Sequence, residues 1–214
     1  MGVLLPHTYL GPIQYYVLLA KNESVRIENH EHFIKQTYRN RSVIYGANGR
    51  LNLIVPTVHE GERRAMKTVK ISYHEGWQKL HWKSLESSYR SSPFFEYYED
   101  DLAPLINKKH TYLIDLNMAL LNFLLQELDI GVKLSFTDSY CENMEGLSDQ
   151  RSVFAPSLDT DKELNLERYQ QVFESRHKFI PNLSILDLLF NLGPAAKGYL
   201  LSSATFNSPQ GLDN

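Results

Sequence analysis

Residues 3–28 read VLLPHTYLGPIQYYVLLAKNESVRIE, and this opening stretch decides the predicted fold. Residues 3–5 predict a short buried strand that stops at Pro6, and Pro12 stands where a helix would begin. Residues 25–28 alternate apolar and polar side chains, which is the pattern of a half-buried strand. The chain is therefore expected to open as strand, turn, helix and second strand.

Further strands and a hairpin are predicted downstream. Residues 42–45 and 51–55 are β-branched or apolar runs on either side of Gly46-Ala47-Asn48-Gly49, and an Asn-Gly pair between two strands favours a β-hairpin. Residues 68–73 alternate and predict another strand, and residues 133–137 predict one more.

The middle and the end of the chain have helical patterns. Apolar residues recur at three- and four-residue spacing after Trp77 and again after Pro93. Asp115 is placed to cap a helix that is apolar nearly all round, and Gly131 is placed to end it. Ser184 and Asp187 have the spacing of a capping box, which explains both residues without catalysis.

These elements predict an α/β fold, with an α+β arrangement left open. A single domain over residues 1–214 is expected to contain a mixed sheet with a β-hairpin, packed by helices. Residues 138–161 are rich in polar residues with few paired apolar positions and are predicted to be mobile, and residues 202–214 are predicted to form a flexible tail.

Composition narrows the possible partners and compartment. The 214 residues carry 22 Lys plus Arg against 25 Asp plus Glu, so the net charge of −3 gives no global attraction to nucleic acid. With Cys141 as its one cysteine, the chain is expected in a reducing compartment, the cytoplasm. No apolar run approaches the roughly 20 residues of a membrane helix, so no membrane insertion is predicted. The oligomeric state is left open.

A dense polar segment is the main candidate for chemistry. Residues 35–41 contain three cations and two amides, and such groups suit a phosphate or carboxylate ligand. The alternative is a solvated charged loop that forms ion pairs with Glu28 and Glu31.

Two other groups of residues allow a functional and a structural interpretation. His81 lies on a semi-apolar helix face and could act as a general base or be a structural histidine. His30 and His32 flank Glu31 but lack a third partner at a recognised metal-ligand spacing, so no metal is predicted. No phosphate loop, dinucleotide-binding motif or nucleophile elbow occurs, and no cofactor is predicted.

Five strings of sequence, taken together, resemble the WbqC-like family of bacteria. The similarity runs from about Val3 to Leu201. The strings are Leu5-Pro6 with Tyr9-Leu10-Gly11-Pro12-Ile13-Gln14-Tyr15, then Lys35-Gln36-Thr37-Tyr38-Arg39-Asn40-Arg41, His81-Trp82, Ser92-Pro93-Phe94-Phe95-Glu96-Tyr97-Tyr98, and Asn182-Leu183-Ser184-Ile185-Leu186-Asp187-Leu188-Leu189-Phe190-Asn191.

The resemblance implies a role in surface-polysaccharide (O-antigen) synthesis, with transfer of an aminoacyl (glycyl) or related group to an amino sugar as one suggested activity. The substrate would be a small molecule, a phosphorylated or nucleotide-linked sugar. A binding module without catalysis is the alternative. Many relatives have a cysteine after the Asn-Arg pair, where this chain has Ser42, which favours acid/base over thiol chemistry.

The resemblance also implies roles for individual residues in one cleft. Its cations would hold the anionic part of the substrate, its amides would orient the acceptor, and a neighbouring base would remove a proton from the attacking amine. The cations are Lys35, Arg39 and Arg41, the amides are Gln36 and Asn40, the base is His81 or Glu28, and Tyr15 lies beside them.

Overall fold

The structure is a computed structural model that describes residues 2–59, 61, 64–142, 146–154 and 166–204. Its main sheet has four parallel strands in the order β5-β2-β1-β6. The strands are β1 (Gly2–Pro6), β2 (Ser24–Glu28), β5 (Lys133–Phe136) and β6 (Leu147–Asp149). A β-hairpin of β3 (Arg41–Gly46) and β4 (Gly49–Ile54) forms a separate two-stranded sheet. The structure therefore confirms the α/β fold with a hairpin, packed by helices.

The opening stretch folds as its sequence predicts. β1 is followed by α1 (Ile13–Lys21), which begins after Pro12, and the chain returns as β2 parallel to β1. β1 pairs with a strand on each side, and four of its five residues are buried because it lies in the middle of the sheet. Pro12 suits the helix start because its fixed φ is already close to helical and no intrahelical N–H is lost there.

The remaining helices cover the two sheets and one another. They are α2 (Trp77–Tyr89), α3 (Phe95–Asn107), α4 (Leu113–Glu127), α5 (Glu174–His177), α6 (Ile185–Leu192) and α7 (Ala196–Ser202). α1 packs against α6 and α7, whereas α2 packs against α3 and β3. The buried apolar residues of these elements form one cluster, so both sheets share a core. Among the described residues, no helix is both long and apolar enough to cross a membrane.

The predicted hairpin is confirmed, and its turn explains the glycines around it. Gly46 pairs with Gly49, which leaves Ala47 and Asn48 as the two-residue turn. Gly49 has a φ of +100°, a conformation that a residue with a Cβ rarely adopts. Glycine at this position therefore lets β4 begin directly after the turn.

Three local predictions are wrong. Gly131 does not end α4, because the helix ends at Glu127 and the left-handed position after it is taken by Asp129, with a φ of 50°. Residues 68–73 do not form a strand: a 3-10 turn covers Met66–Thr68, and Lys70 and Ile71 make only isolated bridges. Asp115 does not cap α4, because the helix begins two residues earlier and Asp115 lies in its first turn. Asp115 still suits that position, since a negative charge near a helix N-terminus is favourable.

Of the predicted capping box, only the Ser184 cap is confirmed, with a different partner, because the Asp187 carboxylate accepts from side chains outside α6. The Ser184 hydroxyl accepts a 3.4 Å hydrogen bond from the N–H of Leu186 rather than from that of Asp187. The same hydroxyl donates to the carbonyl of Leu10 at 3.0 Å, so it also ties α6 to the segment before α1.

The two segments predicted to be mobile are only partly within the described residues. Residues 147–149 of the first segment form β6, the edge strand of the parallel sheet. Residues 143–145 and 155–161 of that segment, and residues 205–214 of the predicted tail, lie outside the described residues.

Candidate functional site

The carboxyl ends of the four parallel strands meet at one edge of the main sheet. His7 follows β1, Asn29 follows β2, Thr137 follows β5, and Arg151 lies two residues after β6. Because ligands of parallel α/β sheets bind outside the carboxyl ends of the strands, this edge is where a site is expected. Among these four residues, hydrogen bonds join His7 to Asn29 (2.6 Å) and Asn29 to Thr137 (3.1 Å).

A cavity of about 410 Å³ opens at this edge. Its lining combines charged, aromatic and aliphatic side chains, contributed by the segment after β2, the segment after β5 and the end of β6. The lining residues are Glu31, His32, Ile34, Arg39, Tyr140, Glu142, Asp149, Arg151 and Ser152.

Arg151 connects the parts of this cavity. Its Nε and Nη2 donate to the carboxylate of Asp149, with a shortest distance of 2.5 Å, and its Nη1 donates to Glu28 at 3.1 Å. Nη2 also donates to the backbone carbonyl of Glu142 at 2.9 Å, and the guanidinium carbon lies 5.2 Å from the ring centroid of Tyr140. The hydrogen bonds with Asp149 raise the pKa of Arg151. One guanidinium group thus joins β2, β6 and the segment after β5.

Glu28 is a fully buried anchor in the wall behind the cavity. Its Oε1 accepts hydrogen bonds from the His30 N–H and the Thr137 hydroxyl, both at 2.7 Å, while Oε2 accepts from Arg151. A carboxylate whose two oxygens hold three fixed donors has little freedom to accept a proton from a substrate. The geometry therefore favours a positioning role for Glu28, and the predicted role as a base stays a prediction.

Arg39 is the member of the 35–41 segment that reaches the cavity. It forms a two-pronged ion pair with Glu31, with Nε–Oε1 at 2.8 Å and Nη2–Oε2 at 2.5 Å, and both side chains are buried. Burial raises the pKa of Glu31, and the guanidinium of Arg39 opposes that shift. The structural alternative left open by the sequence included an ion pair with Glu31, but the observed pair is buried and not part of a solvated loop. Arg39 has its charge neutralised before any ligand binds.

The other residues of the segment lie elsewhere. Lys35 and Gln36 are exposed on a turn, where Gln36 has a positive φ of 64°. Asn40 is buried and donates to the carbonyl of Val55 at 2.9 Å, and Arg41 is the half-buried first residue of β3. None of these four residues lines the described cavity. These polar residues are therefore close together in the sequence but do not form one polar surface.

Tyr15 and His81 lie in the core and do not line the cavity either. Tyr15 donates to the carbonyl of Pro6 at 3.0 Å. The Nδ1 of His81 is 2.9 Å from the Tyr9 hydroxyl, and its ring lies 4.9 Å from that of Trp77. Burial lowers the pKa of His81 to about 4, so the imidazole is neutral at pH 7. The structure does not bring His81 together with Arg39.

Several residues of the site escaped sequence reasoning. His7 is 2% exposed, and burial lowers its pKa to about 4, yet no local motif marks it. Tyr140, Glu142, Asp149 and Arg151 were also missed, because residues 138–161 were interpreted only as a mobile segment. For Tyr140 and Glu142 the available signal was their position just after the strand predicted at residues 133–137, whereas β6, which carries Asp149 and precedes Arg151, was not predicted.

Comparison with known sequences establishes the family. The sequence model of the WbqC-like protein family matches residues 7–162. The chain belongs to this family. A protein of Mycobacterium tuberculosis, described as uncharacterized protein Rv1507c, is 30% identical over 212 residues, which cover 87% of this chain and 91% of that protein. No solved structure matches the chain.

The charge balance of the site in this WbqC-like chain is negative. Three carboxylates line the cavity, those of Glu31, Glu142 and Asp149, whereas the guanidinium groups number two. Glu28 adds a fourth carboxylate behind them. Within the described ranges, no group of three or more His, Cys, Asp or Glu side chains could hold a metal ion. The site therefore suits a positively charged ligand group more than an anion.

Proposed function

We propose that this chain is a cytoplasmic transferase of bacterial surface-polysaccharide synthesis, which acts on an amine-bearing sugar bound in the cavity at the sheet edge. The family implies the polysaccharide setting, and an aminoacyl group such as glycyl is the proposed transferred group. One observation carries the choice of acceptor: among the described residues, the carboxylates in and behind the cavity outnumber the guanidinium groups by four to two.

The electrostatics of the cavity support an amine more than a phosphate. Arg39 donates to the buried Glu31 and Arg151 donates to the buried Glu28, so a phosphate would have to compete with partners held in place. A protonated amine instead meets an excess of negative charge in a partly desolvated space, where such attractions are stronger than in water. Binding of the anionic part of a nucleotide-linked sugar by Lys35, Arg39 and Arg41 is therefore not part of the proposal.

The proposed reaction is acyl transfer to nitrogen. The ammonium group first gives its proton to water, and the amine attacks the carbonyl carbon of an activated glycyl ester or thioester. A C–N bond forms, the acyl C–O or C–S bond breaks, and the second proton of the amine passes to the departing alcohol or thiol. The cavity would supply proximity by fixing the acceptor sugar beside the donor. In this scheme the buried Glu28 shapes the wall of the site, while His81 stabilises the core.

A binding module is the second candidate, and the hydrogen bonding of the buried bases favours it. Glu28, His7 and His81 are each hydrogen-bonded within the protein and almost fully enclosed. A chain that only presents a sugar precursor to a partner enzyme would need the cavity but no proton acceptor.

The test is a product assay joined to a binding measurement. The purified chain is incubated with glucosamine and a glycyl thioester, and the sugar is analysed by mass spectrometry for an added glycyl group. Time-dependent N-glycyl product, absent with heat-inactivated protein, supports the transferase. Saturable binding of glucosamine without product supports the binding module. If glucosamine is neither bound nor converted to product, the result contradicts the proposed acceptor.

A further inference from the structure

We propose that Tyr140 and Glu142 form the recognition pair for the amino sugar, with the Glu142 carboxylate on its ammonium group and the Tyr140 ring against a face of the sugar. The inference deepens the proposed function and rests on it, since both residues line the same cavity.

The carboxylate of Glu142 differs from the others at the site. Glu28, Glu31 and Asp149 each have at least one side-chain oxygen that accepts from an arginine. Within the part of the chain that the structure describes, the Glu142 side chain has neither a hydrogen bond nor an ion pair, although it is exposed to the cavity. A carboxylate already paired with a guanidinium gains less from a second cation than an unpaired one. The ammonium group is therefore expected at Glu142.

Tyr140 supplies a ring surface at the same opening. Tyr140 is 53% exposed, so its ring is accessible to a ligand at the cavity opening. The guanidinium of Arg151 lies over the ring at 5.2 Å and fixes its place beside the cavity. The C–H face of a sugar ring is apolar enough to pack on such a surface.

One cavity brings the two residues together. Tyr140 and Glu142 are two residues apart in the irregular segment after β5, and both line the same opening. Arg151 holds this segment through its 2.9 Å hydrogen bond to the Glu142 carbonyl. Arg151 is thus a positioning residue for the pair. Both residues are therefore within reach of one ligand in the cavity.

The experiment compares three sugars on matched variants by ligand-observed NMR titration. Glucosamine carries the ammonium group, N-acetylglucosamine carries a neutral amide in its place, and glucose carries a hydroxyl. The variants are Glu142→Gln with Glu75→Gln as its control, and Tyr140→Leu with Tyr97→Leu as its control. Both control residues are exposed and lie outside the cavity. Denaturation midpoints verify that each variant is folded.

The wild-type chain is expected to bind glucosamine about five-fold more tightly than the two neutral sugars, the size of one exposed ion pair. Glu142→Gln should equalise the three affinities and Tyr140→Leu should weaken all three alike, while both controls bind as the wild type does.

A preference for glucosamine that persists in Glu142→Gln overturns the assignment of the ammonium group and leaves the proposed function standing. Wild-type binding without any preference for the amine also overturns the recognition pair. If the wild-type chain binds none of the sugars and forms no N-glycyl product, the proposed function fails together with the pair.

Discussion

The edge of the parallel sheet and the first turn of α6 both bury carboxylates, but they do so with different partners. At the sheet edge, arginines balance the charges, as in the Arg39–Glu31 and Arg151–Glu28 pairs. Asp187 in α6 is fully buried and accepts instead from neutral donors: the Tyr89 hydroxyl at 3.0 Å, the Tyr169 hydroxyl at 2.5 Å and the Gln171 amide at 2.8 Å.

The difference sets how each region responds to protons and to mutation. An arginine partner keeps its charge at any working pH, so the sheet-edge network is an ionic link between segments. Burial raises the pKa of Asp187 to about 6 while its three hydrogen bonds oppose the shift. The α6 network therefore titrates within reach of neutral pH, and the two regions can be separated experimentally.

Breaking the Arg39–Glu31 pair should produce the largest effect. Arg39→Met leaves the Glu31 carboxylate buried without a cation, which is expected to lower the free energy of unfolding at pH 7 by about 3–5 kcal/mol. Chemical denaturation measures the change. The double variant Arg39→Met/Glu31→Leu should recover most of the loss, because no buried charge is left unpaired. A single variant as stable as the wild type would contradict the buried ion pair.

The buried histidines should make the protein sensitive to acid. Burial lowers the pKa of His81 from 6.5 to about 4, so its stabilising contribution is complete above pH 6.5 and is lost as the pH falls toward 4. Between pH 7 and pH 5 this loss amounts to about 2 kcal/mol. His81→Gln should reduce the acid loss by that amount, as measured by denaturation at both pH values. An unchanged pH dependence would mean that His81 is protonated in the folded state.

Asp187 should have the opposite effect on stability in acid. Its folded pKa of about 6 lies above the usual 3.8, so the folded state takes up a proton first and gains stability as the pH falls through 6. The gain between pH 7 and pH 5 is about 1 kcal/mol. Asp187→Asn should therefore lose more stability over that interval than the wild type. If Asp187→Asn loses less stability than the wild type between pH 7 and pH 5, the pKa of Asp187 is lowered and not raised in the folded state.

Removing the Ser184 hydroxyl should have the smallest effect. Ser184→Ala removes the helix cap, which costs about 1 kcal/mol or less. The Leu10 carbonyl stays satisfied because Ser42 also donates to it at 2.7 Å. The thermal midpoint should fall slightly, with sugar binding unchanged. If Ser184→Ala keeps full stability but loses sugar binding, Ser184 belongs to the binding site and its hydroxyl is not needed as a helix cap.

The sequence predicted structural features that depend on a few adjacent residues. Pro12 marked the start of α1, and the turn from Gly46 to Gly49 marked the hairpin, because a helix start and a tight turn are set by a few adjacent residues. Residues 68–73 were misassigned because their alternation has no strand to pair with beyond isolated bridges. Alternation alone does not supply a hydrogen-bonded neighbour.

The site was less predictable for the same reason. The partners Arg39 and Glu31 are eight residues apart, and their ion pair was open to sequence reasoning as an alternative. Arg151 and Glu28 are 123 residues apart and meet only because β2 and β6 end at one edge of the sheet. The order of strands, which no local pattern reveals, determines the site.

Amide chemical-shift mapping of the full chain with glucosamine locates the sugar-binding site directly. The largest shifts are expected on the cavity segments around Tyr140, Glu142 and Ser152. A shallow depression of about 700 Å³ between Arg168 and Lys178 offers an internal comparison on the same molecule. Shifts concentrated there, with the sheet edge unperturbed, would contradict the assignment of the carboxyl edge as the functional site.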